Sequence, residues 1–195
     1  MKNLRSLVAL ILIIIQSSCE AQIPNENLQI AEAVMAAPEE KRAEATVMGF
    51  DEKNELVIIR EGSNELICLS DDPLKEGFSV SCYHRDLEPF MARGRVLKAE
   101  GKSRGEIFEI RAREVKSGAL KMPTSPSTLQ VLSGSEGKYD FETGEVVNAN
   151  LRYVVYIPYA TQESTGLPIR PLVPGGAWLM DPGTHRAHIM ITPNL

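Results

Sequence analysis

The chain is poor in the residues and motifs that mark the common chemistries. It holds three histidines, three cysteines and one tryptophan in 195 residues. No Gly-x-Ser-x-Gly, no His-Glu-x-x-His and no phosphate-binding glycine loop occurs. The nucleophile elbow, the helical zinc pair and the P-loop are therefore excluded. No Cys-x-x-Cys offers the close spacing of a redox pair. Basic residues are outnumbered, 21 to 26, so there is no general attraction for nucleic acid or anionic lipid. No internal repeat or low-complexity tract appears. Apart from the N-terminal end, no apolar stretch approaches the ~20 residues of a membrane helix.

The N-terminal end is the most informative stretch. Lys2 and Arg5 precede an unbroken apolar run from Leu7 to Ile15, followed by the small residues Ser17 and Ser18. This is the plan of a secretory signal peptide over residues 1–21. Two processing routes fit. Ser17-Ser18-Cys19 resembles the end of a bacterial lipobox, which would acylate Cys19, although Gln16 stands where that motif prefers an aliphatic residue. A plain cut after Ala21 fits equally, with Cys19 and Ala21 both small. Without Lys2, Arg5 and Glu20 the balance becomes 19 basic against 25 acidic residues, a net of −6. The expected location is periplasmic, outer-membrane-anchored or extracellular, with membrane contact only through an anchor at Cys19.

Export bears on the other cysteines. Cys68 and Cys82 remain as a pair in an oxidising compartment and are expected to form a disulfide. Closing that loop stabilises the fold by roughly 3 kcal/mol in the chain-entropy model.

Residues 22–45 are polar and rich in Ala and Glu. Leu28, Ala31, Val34 and Met35 fall at helical spacing before Pro38, so this segment reads as a short, loosely docked helix or as a tether. Residues 46–195 read as one α+β domain, a largely antiparallel sheet with a small group of helices in the middle of the chain. Thr46–Phe50, Leu56–Arg60 and Leu66–Leu69 are apolar runs parted by polar turn clusters, the pattern of a β-meander. The unbroken Leu56–Ile59 run predicts a strand covered on both faces. Asp86 is expected to cap a helix burying Leu87, Phe90, Met91 and Leu97, with Gly101 as its stop. Ser103 and Glu106 form a capping box for a second helix ending at Gly118. Leu129–Leu132 and Leu151–Ile157 read as strands, residues 133–150 as a long exposed loop, and Thr161–Gly166 as a loop or single helical turn.

The tail reads Ala177–Met180, Asp181-Pro-Gly-Thr184, then His185–Ile191. Pro second and Gly third suit a type II turn, so the tail is expected to be a hairpin. On a strand, side chains alternate faces. His185 would then share the apolar face with Ala187, Ile189 and Ile191, while Arg186, His188 and Met190 face the other way. The two imidazoles would point apart, which opposes a metal site with His84. His188, Arg186 and Trp178, with His185 and Asp181 beside them, are the candidates for binding a small anionic ligand, since His and Arg recognise carboxylate or phosphate. No catalytic residue, metal or cofactor is assigned. The Arg/Lys run from Arg93 to Arg104 alternates with apolar helix positions and reads as a solvated helix face. Asp71-Asp72 before Pro73 reads as a solvated turn.

The segments REGSNELICLSDDP, FMARGR, LKMP and PGGAWLMDPGTHRAHIMI together resemble a family of exported bacterial proteins to which no activity is assigned. The resemblance runs from about Thr46 to Pro193. It departs at Asn64-Glu65-Leu66, where that family often carries an aromatic residue after Asn-Gly. The resemblance implies export and a single folded unit, and it designates no catalytic residue. The expected role is a binding or accessory module of the cell envelope, acting on an envelope partner or a small anion. The alternative is a hydrolase-type enzyme using His188 and Arg186 with a carboxylate such as Asp72.

Overall fold

A computed structural model describes residues 23–193; the expected signal peptide over residues 1–21 and the candidate acylation site Cys19 lie outside the described residues. The architecture is α+β. The strands are β1 (Thr46–Phe50), β2 (Leu56–Arg60), β3 (Leu66–Leu69), β4 (Phe78–His84), β5 (Ser127–Gly134), β6 (Lys138–Asp140), β7 (Glu145–Val147), β8 (Asn150–Tyr156), β9 (Trp178–Met180) and β10 (His188–Ile191). The helices are α1 (Glu26–Ala33), α2 (Glu88–Ala99), α3 (Arg104–Ser117) and the single turn α4 (Gln162–Thr165). Eight strands form one sheet in the order β2-β1-β3-β4-β5-β8-β10-β9, and β6 pairs with β7 in a separate hairpin. That hairpin occupies part of residues 133–150, which the sequence presented as an exposed loop.

The first three strands have the bounds that the sequence predicts, but they are not a meander. β2 folds back antiparallel on β1, whereas β3 pairs with β1 in parallel on its other side. The chain crosses from β2 to β3 beneath the start of β1. Gly62 makes that crossing: its amide donates to Thr46 Oγ1 at 3.1 Å. A Cβ on Gly62 would overlap the Ala45–Thr46 backbone. β2 is thereby left at the sheet edge, with Val57 and Ile58 exposed at 36% and 52%. Its apolar run is not covered on both faces.

α1 is firmly docked; of the expected stripe Val34 is buried, while Leu28, Ala31 and Met35 are only half-buried. Asn25 caps it by accepting from the Leu28 amide at 3.1 Å. The buried residues are Gln29, Glu32 and Ala33, continuing through Val34, Ala36 and Ala37 of the following 3-10 turn. Small alanines let the helix lie close on the sheet. Gln29 serves as a local strand partner for β1, since its Oε1 accepts from the Phe50 amide at 2.6 Å and its Nε2 donates to the Phe50 carbonyl at 2.9 Å. Glu32 is 6% exposed, and its Oε1 accepts from the Asp71 amide at 3.2 Å. Burial, with a further push from the Asp71 charge, raises the Glu32 carboxyl from 4.5 to about 7.

Beneath α1, Val47, Leu66, Phe78 and Val80 make one half of the core. Cys68 and Cys82 face each other across β3 and β4 and are bonded, with sulfurs 2.08 Å apart. Both are essentially buried, and the Ala33 carbonyl oxygen lies 3.4 Å from Cys82 Sγ.

The alternate residues of the same strands face α2 and α3. Tyr83, Leu87, Phe90, Val154 and Tyr156 form this second half of the core, with Ile67, Leu129 and Met190 packed against it. Pro89 sits in the first turn of α2, and Leu97 is buried as expected. The cap is not Asp86; His84 Nδ1 accepts from the Asp86 amide at 3.2 Å at the 3-10 turn that leads into α2. The Ser103–Glu106 capping box is formed, and Gly118 ends α3 at φ +79°. Arg93 joins the helices through a two-pronged bond to Glu114, at 2.7–3.0 Å. Tyr83 fastens α2 to the sheet: its hydroxyl donates to Glu88 at 2.5 Å and accepts from Arg95 at 3.0 Å.

A cationic groove beside the C-terminal hairpin

The tail hairpin forms, with β9 and β10 antiparallel. The turn Asp181-Pro-Gly-Thr184 closes with the Thr184 amide donating to the Asp181 carbonyl at 3.3 Å, and Gly183 takes φ +73° as a type II turn requires. A second turn then follows, closed by the Ala187 amide on the Thr184 carbonyl at 3.1 Å. The strand therefore begins at His188, not His185.

This extra turn overturns the expected facing of the histidines. His188 lies opposite Tyr156 in the sheet and stacks on its ring at 5.1 Å. Tyr156 meets Phe90 edge-on at 5.9 Å, Phe90 meets His185 at 5.8 Å, and His185 lies 5.1 Å from Phe108. Both imidazoles thus belong to the layer under α2 and α3, separated by Phe90 and Tyr156. Met190 packs in this layer too, so the face carrying His188 and Met190 is the one turned to the helices. Among the described residues no three His, Cys, Asp or Glu side chains gather as a metal site.

The two histidines are differently satisfied. His188 is 7% exposed, and its Nδ1 lies 2.7 Å from the Arg186 carbonyl, an oxygen that can only accept, so Nδ1 carries the proton. His185 is 3% exposed, and its Nε2 has no hydrogen-bond partner. Burial lowers both pKa values; the charges of Arg111 and Arg186 lower that of His185 further.

Arg186 reaches back over its own turn. Its Nε donates to Asp181 at 2.6 Å, and its guanidinium lies 4.8 Å from the Phe108 ring centre. These residues form one wall of a groove of about 870 Å³ between α2 and α3. Arg95, Lys98, Arg104 and Arg111 add four more cations, against the carboxylates of Asp181 and Glu109. Asp181 is already bonded to Arg186. Lys98 and Arg104 have no carboxylate partner among the described residues. Met91, Ile107 and Phe108 supply apolar wall.

Arg111 forms the inner end of the groove. Its guanidinium lies 3.8 Å above the Phe90 ring, and Nη1 donates to the Phe90 carbonyl at 3.1 Å. Its Nε is buried with no partner, and burial lowers its pKa. Gly94 leaves room for it, because a Cβ there would stand 2.9 Å from Nη1.

Of the sequence candidates, Asp181 and Arg186 line this groove and His185 packs behind it. His188 lies deeper, against Tyr156, and Trp178, on β9, pairs with Met190 without lining the groove. Asp72 lines a different cavity and is bonded to Lys75. The helix cations and Phe108 were absent from the candidates. The Arg93–Arg104 charge run was their only signal, and it does not reveal that α2 and α3 lie side by side.

Comparisons with protein-family models, with curated proteins and with solved structures returned no match, so the groove is interpreted from its geometry. No helix among the described residues is long and apolar enough to cross a membrane.

Proposed function

We propose that this chain is an exported binding or accessory domain of the cell envelope, and that the groove between α2, α3 and the Asp181–Ala187 turns receives a small anionic ligand. One observation carries the reading. Five cationic side chains line the groove against two carboxylates; Arg186 is bonded to Asp181 and Arg95 to Glu88, and Lys98, Arg104 and Arg111 have no carboxylate partner among the described residues. In a cleft with low-dielectric walls such an excess attracts anions more strongly than it would on open surface. The Cys68–Cys82 bond, the N-terminal apolar run and the resemblance to an exported family support the envelope location.

The hydrolase alternative is less well supported. His188 is stacked on Tyr156 and bonded at Nδ1 to the Arg186 carbonyl, and Asp72 lines another cavity. A general base must come within hydrogen-bond reach of its substrate.

Titration of the mature protein with inorganic phosphate tests the anion site. At a hundred times Kd a ligand specific to the folded state stabilises by about 2.7 kcal/mol, about 5 °C or more in Tm for a chain of this size. The Lys98→Ala/Arg104→Ala double variant should bind about tenfold more weakly, and added salt should weaken binding of the unaltered protein. A Tm and a titration heat that respond neither to millimolar phosphate nor to an organic phosphate ester would remove the proposal. Intact-mass measurement of the protein taken from its own envelope reports cleavage after Ala21 or acylation at Cys19.

A further inference from the structure

Two buried nitrogens without partners belong to side chains that pack on one ring, Phe90, with Arg111 lining this groove and His185 behind it. Arg111 Nε and His185 Nε2 are both unbonded, and both side chains contact the Phe90 ring. Buried polar atoms are nearly always satisfied, so each such exception calls for an explanation. Here two exceptions lie on one ring, behind a groove already rich in positive charge. An oxygen-rich anionic group within reach of both would satisfy them.

The outer groove has a different character. Met91, Ile107 and Phe108 line it, so a ligand body there meets apolar wall. A bare inorganic ion would leave that wall in water and fill little of about 870 Å³.

We infer that the groove takes an amphiphilic oxyanion, its head bonded by Arg111 Nε and His185 Nε2 and its apolar body laid along Met91, Ile107 and Phe108. The inference rests on the anion-binding reading above and specifies its ligand class. Both nitrogens are closed to water as the groove stands, so the head enters by displacing Arg186 from the Phe108 ring. Arg186 then exchanges part of its bond to Asp181 for one to the ligand. His185 donates from Nε2 in the tautomer that carries its proton there.

Octyl phosphate below its micelle concentration is the probe, with octanoate, inorganic phosphate and octyl glucoside as comparators. Octyl phosphate should bind at least about tenfold more tightly than inorganic phosphate and octyl glucoside. Octanoate binding comparably would mean that the site accepts any oxyanion head; weaker octanoate binding would narrow the class to phosphates, and either supports the inference. His185→Phe keeps the ring against Phe90 and Phe108, and Arg111→Met keeps the aliphatic stem. Each should weaken octyl phosphate about tenfold, and the ligand should shift the His185 Nε2 resonance of ¹⁵N-histidine-labelled protein. Equal affinity for inorganic and octyl phosphate overturns the inference and leaves the anion site standing. Unchanged affinity in His185→Phe together with an unmoved His185 resonance overturns the head assignment. No binding of any anion removes both readings.

Discussion

Replacing Glu32 by glutamine isolates one ionisation that burial has displaced. The carboxyl of Glu32 stands at about 7 in the folded chain against 4.5 when exposed. A group that binds its proton more tightly in the folded state causes no loss of stability below pH 4.5, where both states are protonated. As pH rises from 4.5 to 7 the unfolded chain releases that proton first, and stability falls. Above pH 7 the loss is complete. At 1.36 kcal/mol per pH unit it amounts to about 3 kcal/mol. The substituted amide in Glu32→Gln would retain an oxygen for the Asp71 amide and would not ionise. Urea unfolding of both proteins, with the disulfide intact, should give nearly equal midpoints at about pH 4.5. At about pH 8 the variant midpoint should be higher by about 1.5 M, taking a slope of about 2 kcal/mol per molar. A midpoint difference that is the same at both pH values would refute the reasoning. A variant less stable than the unaltered protein on the alkaline side would mean that ionised Glu32 is held by a favourable partner.

Gly62→Ala should destabilise by about 2 kcal/mol or more, because the methyl group meets the Ala45–Thr46 backbone where the chain crosses under β1; urea unfolding measures it, and a neutral result would contradict the crossing. Ser103→Ala should cost about 1 kcal/mol and speed amide exchange in the first turn of α3, with slow exchange at Glu106 preserved if the capping box is not formed in solution.

What could be read from the sequence was what is determined locally. The Ser103–Glu106 box, the Gly101 and Gly118 stops and the bounds of β1 to β3 depend on residues within a few positions of one another, and all appear in the structure. The side of β1 on which β3 docks depends on where a short connection crosses, which no local pattern records. The edge position of β2 follows from that crossing, so its apolar run suggested the wrong environment. The burial of Gln29 and Glu32 on α1 was not legible in the apolar spacing of Leu28, Ala31, Val34 and Met35, because their partners Phe50 and Asp71 are long-range. In the tail, one extra turn from Thr184 to Ala187 moved His185 off the strand and reversed its relation to His188. Asp181 and Arg186 were found because they lie within neighbouring turns. Arg111 and Phe108 join the same groove from a helix far earlier in the chain, and only the packing of α3 against that turn brings them together.

The cystine lies under α1, with the Ala33 carbonyl against one sulfur and both half-cystines almost wholly out of solvent. An oxidant or thiol exchange catalyst needs an approach to those atoms, and the docked helix denies it. The first described element to emerge during synthesis must therefore wait for strands made later to be joined covalently, and once it has settled the same cover shields the bond from reductants.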